Sequence, residues 1–148
     1  MFDKNKKIAI GSDHGGFLMK EYLKKELTKE GYNFVDFGTN SEESVDYPDI
    51  AHPLAESVSE KEYEFGIIIC GSGNGIQMAA NKHRYVRAAL CWDIEQTKLS
   101  RLHNDANILS LPGRYLDFNI AKQLVKIFLD TPFEGGRHKI RVEKISKY

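Results

Sequence analysis

The sequence predicts an α/β fold in which one parallel sheet of five strands is covered on both faces by helices. Three observations lead there. Short apolar runs alternate with amphipathic stretches along the whole chain. Five such runs alternating with helices imply right-handed crossovers, and hence a parallel sheet. The third run, FGIIIC at residues 65–70, is apolar without interruption, as a strand buried on both faces must be.

The first strand is KIAIG, residues 7–11, followed by the turn SDHGG. FLMKEYLKKELTKEG then reads as a helix, because Met19, Leu23 and Leu27 recur every four residues and Gly31 stops it. NFVDFG is the second strand, and residues 38–47 form a polar loop. Pro48 opens a helix with Ile50, Leu54 and Val58 on one face, and Pro53 inside it should distort its first turns. FGIIIC is the third strand, followed by the turn GSGNG and a helix over residues 76–83. RAALC is the fourth strand, IEQTKLSRLHN a helix and NILSL the fifth strand. Asp117 is placed to cap the helix FNIAKQLVKIFLD, whose Ile120, Leu124, Ile127 and Phe128 share a face. Pro132 breaks the chain before a short basic tail, RHKIRVEKISKY, read as a final helix.

At 148 residues the chain is expected to form one domain, 1–148, with a sizeable core. Its 21 basic and 21 acidic residues cancel, which argues weakly against nucleic acid or a membrane surface as partner. No apolar run approaches the ~20 residues of a membrane helix, and no signal-peptide core follows the start. The expectation is a cytoplasmic protein whose two cysteines, Cys70 and Cys91, remain thiols. No Cys/His spacing reads as a zinc site, so no metal is expected.

Ligands of such sheets bind beyond the carboxyl ends of the strands, and the suggestive segments are read as lying at those ends. They are SDHGG, CGSGNG, HND before the fifth strand and PGR after it. Backbone N–H groups in the glycine turn suit an anion, although a tight turn with no ligand explains the same residues. The turn is not a P-loop, since no Lys-Ser/Thr pair follows. Cys70 at its mouth adds a candidate base or nucleophile, whereas Cys91 inside RAALCW reads as a small buried hydrophobe. Asp13 and His14 are candidate ligand contacts, and Asp13 or Ser12 could equally cap the next helix. His103 sits near a helix C-terminus, where a positive charge is favoured. Arg137 and Arg141, four apart, share a helix face and suit a phosphate, with Arg114 placed to join them; a solvated basic face is the alternative. A base, an acid, an oxyanion cradle and an arginine clamp together suit proton transfer beside the carbonyl of a phosphorylated sugar, without a metal.

The same segments carry a resemblance. IAIGSDHGGF, SVDYPD, GIIICGSGNGIQMAANK, SRLHNDANIL and EGGRHKIRV, in this order and spanning nearly the whole chain, resemble the type B ribose-5-phosphate isomerases and the related galactose- and allose-6-phosphate isomerases. The resemblance implies a three-layer, Rossmann-like α/β/α sandwich and interconversion of ribose 5-phosphate and ribulose 5-phosphate through an enediolate, in the pentose phosphate pathway, with no cofactor. A six-carbon substrate, or a non-catalytic sugar-phosphate-binding subunit, is the alternative. It also implies a homodimer, alone or paired into a tetramer, with sites shared between subunits. By matching motif, Cys70 resembles the base acting between C1 and C2, and His103 the acid or base of ring opening. Asp13, His14, Tyr47 and Asn104 resemble substrate contacts, and Gly71, Ser72, Gly73, Asn74 and Gly75 the enediolate cradle. Arg114, Arg137 and Arg141 resemble the phosphate site. Ser72 stands where many members have Thr. Ile76 stands where one branch has a Glu base, which leaves Cys70 for that role.

Overall fold

A computed structural model describes residues 1–147. Five strands form one all-parallel sheet in the order β2-β1-β3-β5-β4. They are β1 (Lys7–Ser12), β2 (Asn33–Asp36), β3 (Gly66–Cys70), β4 (Ala88–Leu90) and β5 (Ile108–Pro112). The helices are α1 (Phe17–Lys29), α2 (Tyr47–Ser59), α3 (Asn74–Ala80), α4 (Ile94–Leu102), α5 (Phe118–Asp130) and α6 (Arg137–Ile145). The α/β expectation holds, with boundaries moved by one to three residues.

Strand β3 explains the layering. Its alternate residues face opposite ways. Ile67 and Ile69 join the core under α1 and α5, with Leu23, Leu124 and Phe128. Ile68 and Cys70 join the core under α2 and α3, with Leu54, Ala55 and Ile76. All five residues of β3 are buried. Full burial of one such aliphatic side chain stabilises by roughly 1.5–3 kcal/mol, so the sheet centre is anchored here.

Helix ends follow local chemistry. Asp117 accepts hydrogen bonds from Asn119 N and Ile120 N, at 2.8 and 3.1 Å, and starts α5 as expected. Gly31, at φ 95°, turns the chain after α1. α3 begins at Asn74, two residues earlier than expected, because Gly73 at φ 76° reverses the chain directly into it. α2 runs unbroken through Pro53, which corrects the expected distortion. Pro53 is the seventh of its 13 residues and removes a single backbone donor there, the one that would bond the carbonyl four residues earlier. Among the described residues no helix is long and apolar enough to cross a membrane.

Candidate active site

The helix after β1 packs on one face of the sheet and the helix after β3 on the other. The connections leaving the neighbouring strands β1 and β3 therefore diverge beyond their carboxyl ends, which opens the crevice where open α/β sheets bind ligands.

Asp13 lines one side of it. Its backbone N–H donates to Ile69 O at 3.1 Å. Its Oδ1 accepts from Gly15 N at 2.9 Å and Gly16 N at 3.2 Å, so the side chain caps a short 3₁₀ turn over His14–Gly16. The capping alternative is therefore realised, and Asp13 is held rigid and 6% exposed. His14 Nδ1 accepts from Val45 N at 3.2 Å, which leaves Nε2 to carry the proton of the neutral ring.

The glycine turn lines the other side. Cys70 Sγ accepts from Gly73 N at 3.1 Å, and the side chain is 4% exposed. Ser110 Oγ donates to Gly73 O at 2.7 Å and pins the turn to β5. Gly73 admits no side chain, since a Cβ there would lie 2.5 Å from Leu90 Cδ1 in a left-handed backbone. The segment after β5 closes the crevice. Gly113 N donates to Cys70 O at 2.8 Å, and Arg114 N to Gly71 O at 3.0 Å. The Arg114 guanidinium lies along the turn, 3.2 Å from where a Cβ on Gly71 would stand. The Tyr47 ring covers Gly75, with its Cζ 2.5 Å from a Cβ built there. Ser72 Oγ accepts from Asn74 N at 3.2 Å.

One chain thus gathers Cys70, Asp13, His14, Tyr47, residues 71–75 and Arg114 around one crevice. It does not bring His103, Asn104, Arg137 or Arg141 there, a correction to the reading that every segment lies at a carboxyl strand end. His103 caps the C-terminus of α4, and the chain enters β5 only at Ile108. In a parallel sheet that is the amino end. Arg101, two residues earlier, stacks its guanidinium 4.9 Å from the Phe65 ring, just before β3 starts, which fixes the same end. Glu134 N donates to Leu102 O at 3.0 Å, so the segment leading into α6 with Arg137 and Arg141 lies there too.

At that end His103 stacks on His138, with ring centroids 4.3 Å apart and planes 15° apart. Glu134 Oε2 lies 3.6 Å from His103 Nε2 and 3.7 Å from His138 Nε2. Burial, the neighbouring His103 and Arg137 push His138 below the usual histidine range. These three side chains are the metal-like cluster among the described residues, with donor atoms within 4.8 Å. Ring planes this nearly parallel do not aim both lone pairs at one ion.

Several residues escaped sequence reasoning. His138 and Glu134 flank His103 only through tertiary contact. Lys20 is fully buried and donates to both Asp36 oxygens, at 2.8 and 2.6 Å, while Lys24 donates at 2.7 Å. Burial alone would raise the Asp36 carboxyl, yet the bonds from Lys20 and Lys24 hold it below the usual range. Asp36 also accepts from Gly38 N, and Gly38 O accepts from Ser12 N, so the network braces the strand end beside Asp13. Trp92 and Tyr115 stand just past the ends of β4 and β5 and line a cavity of about 410 Å³ with Ser72 and Asn74. A larger groove, about 790 Å³, lies elsewhere, along edge strand β4, lined by Val86, Leu90, Leu99 and Asn104 among others. Its lining includes Arg87, Cys91, Asp93 and Glu95 but no glycine turn, and the chemistry is assigned to the crevice, where a thiol, a glycine turn and Arg114 meet.

Comparison with known proteins agrees with this arrangement. The family model for ribose/galactose isomerases matches residues 8–145. Ribose-5-phosphate isomerase B of Escherichia coli is 43% identical over 141 residues, covering 95% of each chain. The crystal structure of a ribose 5-phosphate isomerase from Thermotoga maritima is 49% identical, with a TM-score of 0.94 over 97% of this chain and 99% of that one. Ribose-5-phosphate isomerase B from Mycoplasma genitalium, with bound ribulose 5-phosphate, is 38% identical, with a TM-score of 0.93 over 99% and 97%.

Proposed function

The chain belongs to the ribose/galactose isomerase family, and from that premise we propose that it interconverts D-ribose 5-phosphate and D-ribulose 5-phosphate through an enediolate, in the pentose phosphate pathway. The observation that carries this reading is the convergence of a buried thiol, a glycine turn and the Arg114 guanidinium on one crevice.

Each group has a task in that reaction. Cys70 takes the proton from C2 and delivers one to C1, while the hydroxyl proton passes from O2 to O1, so the step balances. The negative charge that develops on the two oxygens is met by amides of residues 71–75, fixed in place before the reaction and therefore effective. The sugar arrives as a closed ring, so His103 exchanges a proton with the ring oxygen or its hydroxyl. Asp13, His14, Tyr47 and Asn104 hold the sugar hydroxyls. Arg114, Arg137 and Arg141 hold the phosphate, which a guanidinium can meet with two parallel hydrogen bonds. Ser72 contributes its hydroxyl and amide to the cradle.

The separation of these groups within one chain supports a homodimer in which the His103 end of each subunit faces the Cys70 end of its partner. A two-fold axis then completes both sites alike. Exposed apolar residues beside edge strand β4 suit such an interface, with Met78 65%, Trp92 54% and Ile94 48% exposed. A reducing compartment, the cytoplasm, keeps Cys70 as a thiol.

Steady-state kinetics with ribose 5-phosphate, allose 6-phosphate and galactose 6-phosphate test the substrate. The expected order places ribose 5-phosphate first in kcat/KM. A preference of about tenfold or more for a six-carbon sugar, roughly 1.4 kcal/mol of transition-state binding, overturns the assignment.

A further inference from the structure

We propose that His138 is a positioning residue for His103: its buried imidazole stacks on the His103 ring and, with Glu134 at the edge of both rings, fixes the direction in which His103 presents its nitrogens. The proposal rests on the reading of His103 as the acid or base of ring opening.

The geometry is specific. Planes 15° apart with centroids at 4.3 Å are a face-to-face stack, so one face of His103 is covered. The His103 side chain remains 37% exposed, which leaves its other face and edge open. His138 is 7% exposed, and its Nε2 is buried with no hydrogen-bond partner. A buried ring nitrogen left unpaired is uncommon and costly, and calls for an explanation at a working site. Here the nitrogen lies 3.7 Å from Glu134 Oε2, with His103 Nε2 at 3.6 Å from the same oxygen. A small side-chain rotation lets that carboxylate bond either ring. The support is built from two elements. Glu134 is tied to α4 by its backbone bond to Leu102 O, and His138 N donates to Gly135 O at 3.1 Å as α6 begins.

The charges around the stack divide the roles. His138 faces His103, Arg137, Arg141 and the single carboxylate Glu134. Burial, then the neighbouring His103, Arg137 and Arg141, disfavours a charge on His138. His103 lies at the C-terminus of α4 and is the more exposed of the two rings, so it is the one open to a ligand.

The test uses the whole protein in its native assembly. His138→Leu removes the flat face, and His138→Phe keeps it without a nitrogen. His138→Leu should lower kcat on ribose 5-phosphate on the order of 10- to 100-fold, the usual effect of misplacing a catalytic group, with KM changed by less than about threefold. His138→Phe should recover most of that loss. Neither should slow an analogue that cannot cyclise. In the wild type, the His103 ring protons should be shifted upfield in the NMR spectrum by the neighbouring ring. Wild-type kcat in His138→Leu, a loss confined to KM, no recovery in His138→Phe, or unshifted His103 protons overturns the proposal. Should His138→Leu not fold, the wild-type proton shifts and the kcat of His138→Phe decide. His103→Ala is measured alongside. Full turnover in that variant removes the underlying reading of His103, whereas a loss there without one in His138→Leu removes only the positioning role.

Discussion

Mixing two disabled variants, Cys70→Ala and His103→Ala, should restore activity that neither has alone. The register pairs Gly66 with Ile108 and Cys70 with Pro112. Cys70 therefore stands four residues up the sheet from the level where the chain enters β5, about 13 Å at ~3.3 Å per residue. His103 lies beyond that level, at the far end, out of reach of a sugar held at Cys70 in its own chain. Loss of one general acid or base costs ~10²–10⁴-fold, so each variant alone should retain about 1% of wild-type turnover or less. After random exchange about half the dimers are mixed, and each has one site with both groups intact, or about a quarter of all sites. Turnover should therefore rise at least ~25-fold above either variant. Ribulose 5-phosphate formation is the assay, with native mass spectrometry to confirm exchange. Mixed dimers that show only the average of the two variants would refute the shared site and with it the division of the chain into two half-sites.

Gly75→Ala should push Tyr47 off the turn, since the new methyl would lie 2.5 Å from its Cζ and 2.9 Å from its hydroxyl. Overpacking of this kind costs about 1–3 kcal/mol, so both KM and the melting temperature should worsen, and Tyr47→Ala on the same chain should recover the stability; an unchanged melting temperature in the single variant would show that the ring does not rest there. Asp36→Asn should leave Lys20, fully buried, without its main counter-charge. A loss of about 3 kcal/mol is expected, at the low end for a broken buried pair because Glu21 stands 3.4 Å from Lys20, with melting lowered by roughly 6–12 °C. The sign with pH follows from a carboxyl depressed in the folded state. Its stabilisation is complete above the unfolded value near ~3.9 and disappears as pH falls through the lower folded value. Wild-type melting should therefore fall steeply below about pH 4, and Asp36→Asn should lack that component; parallel acid curves for the two proteins would contradict this.

The sheet was legible because its signals are local. FGIIIC is apolar at every position, so it reads as a strand covered on both faces, and Gly66–Cys70 is that strand. Asp117 announces α5 through a capping bond only two and three residues away. Half of the site was legible for the same reason, since SDHGG, CGSGNG and PGR directly follow their strands. HND directly precedes its strand, which in a parallel sheet means the opposite end. Reading it with the others ignored that direction. His138 was hidden because its stack on His103 spans 35 positions of chain and depends on how α6 docks. Lys20 was hidden because a lysine beside the apolar stripe of Met19, Leu23 and Leu27 looks solvated until Asp36 of β2 is placed over it.

The central claim is that Cys70 carries the proton between adjacent carbons of ribose 5-phosphate. Incubation of that sugar with the protein in D₂O, followed by NMR, reads the step directly. The wild type should form ribulose 5-phosphate, with deuterium at C1 in each turnover where the Cys70 thiol exchanges its proton with solvent before delivering it. Cys70→Ala should bind the sugar with nearly the same affinity and form product at less than about a tenth of the wild-type rate. A Cys70→Ala protein that keeps more than this, or a wild type that forms no ribulose 5-phosphate, contradicts the account.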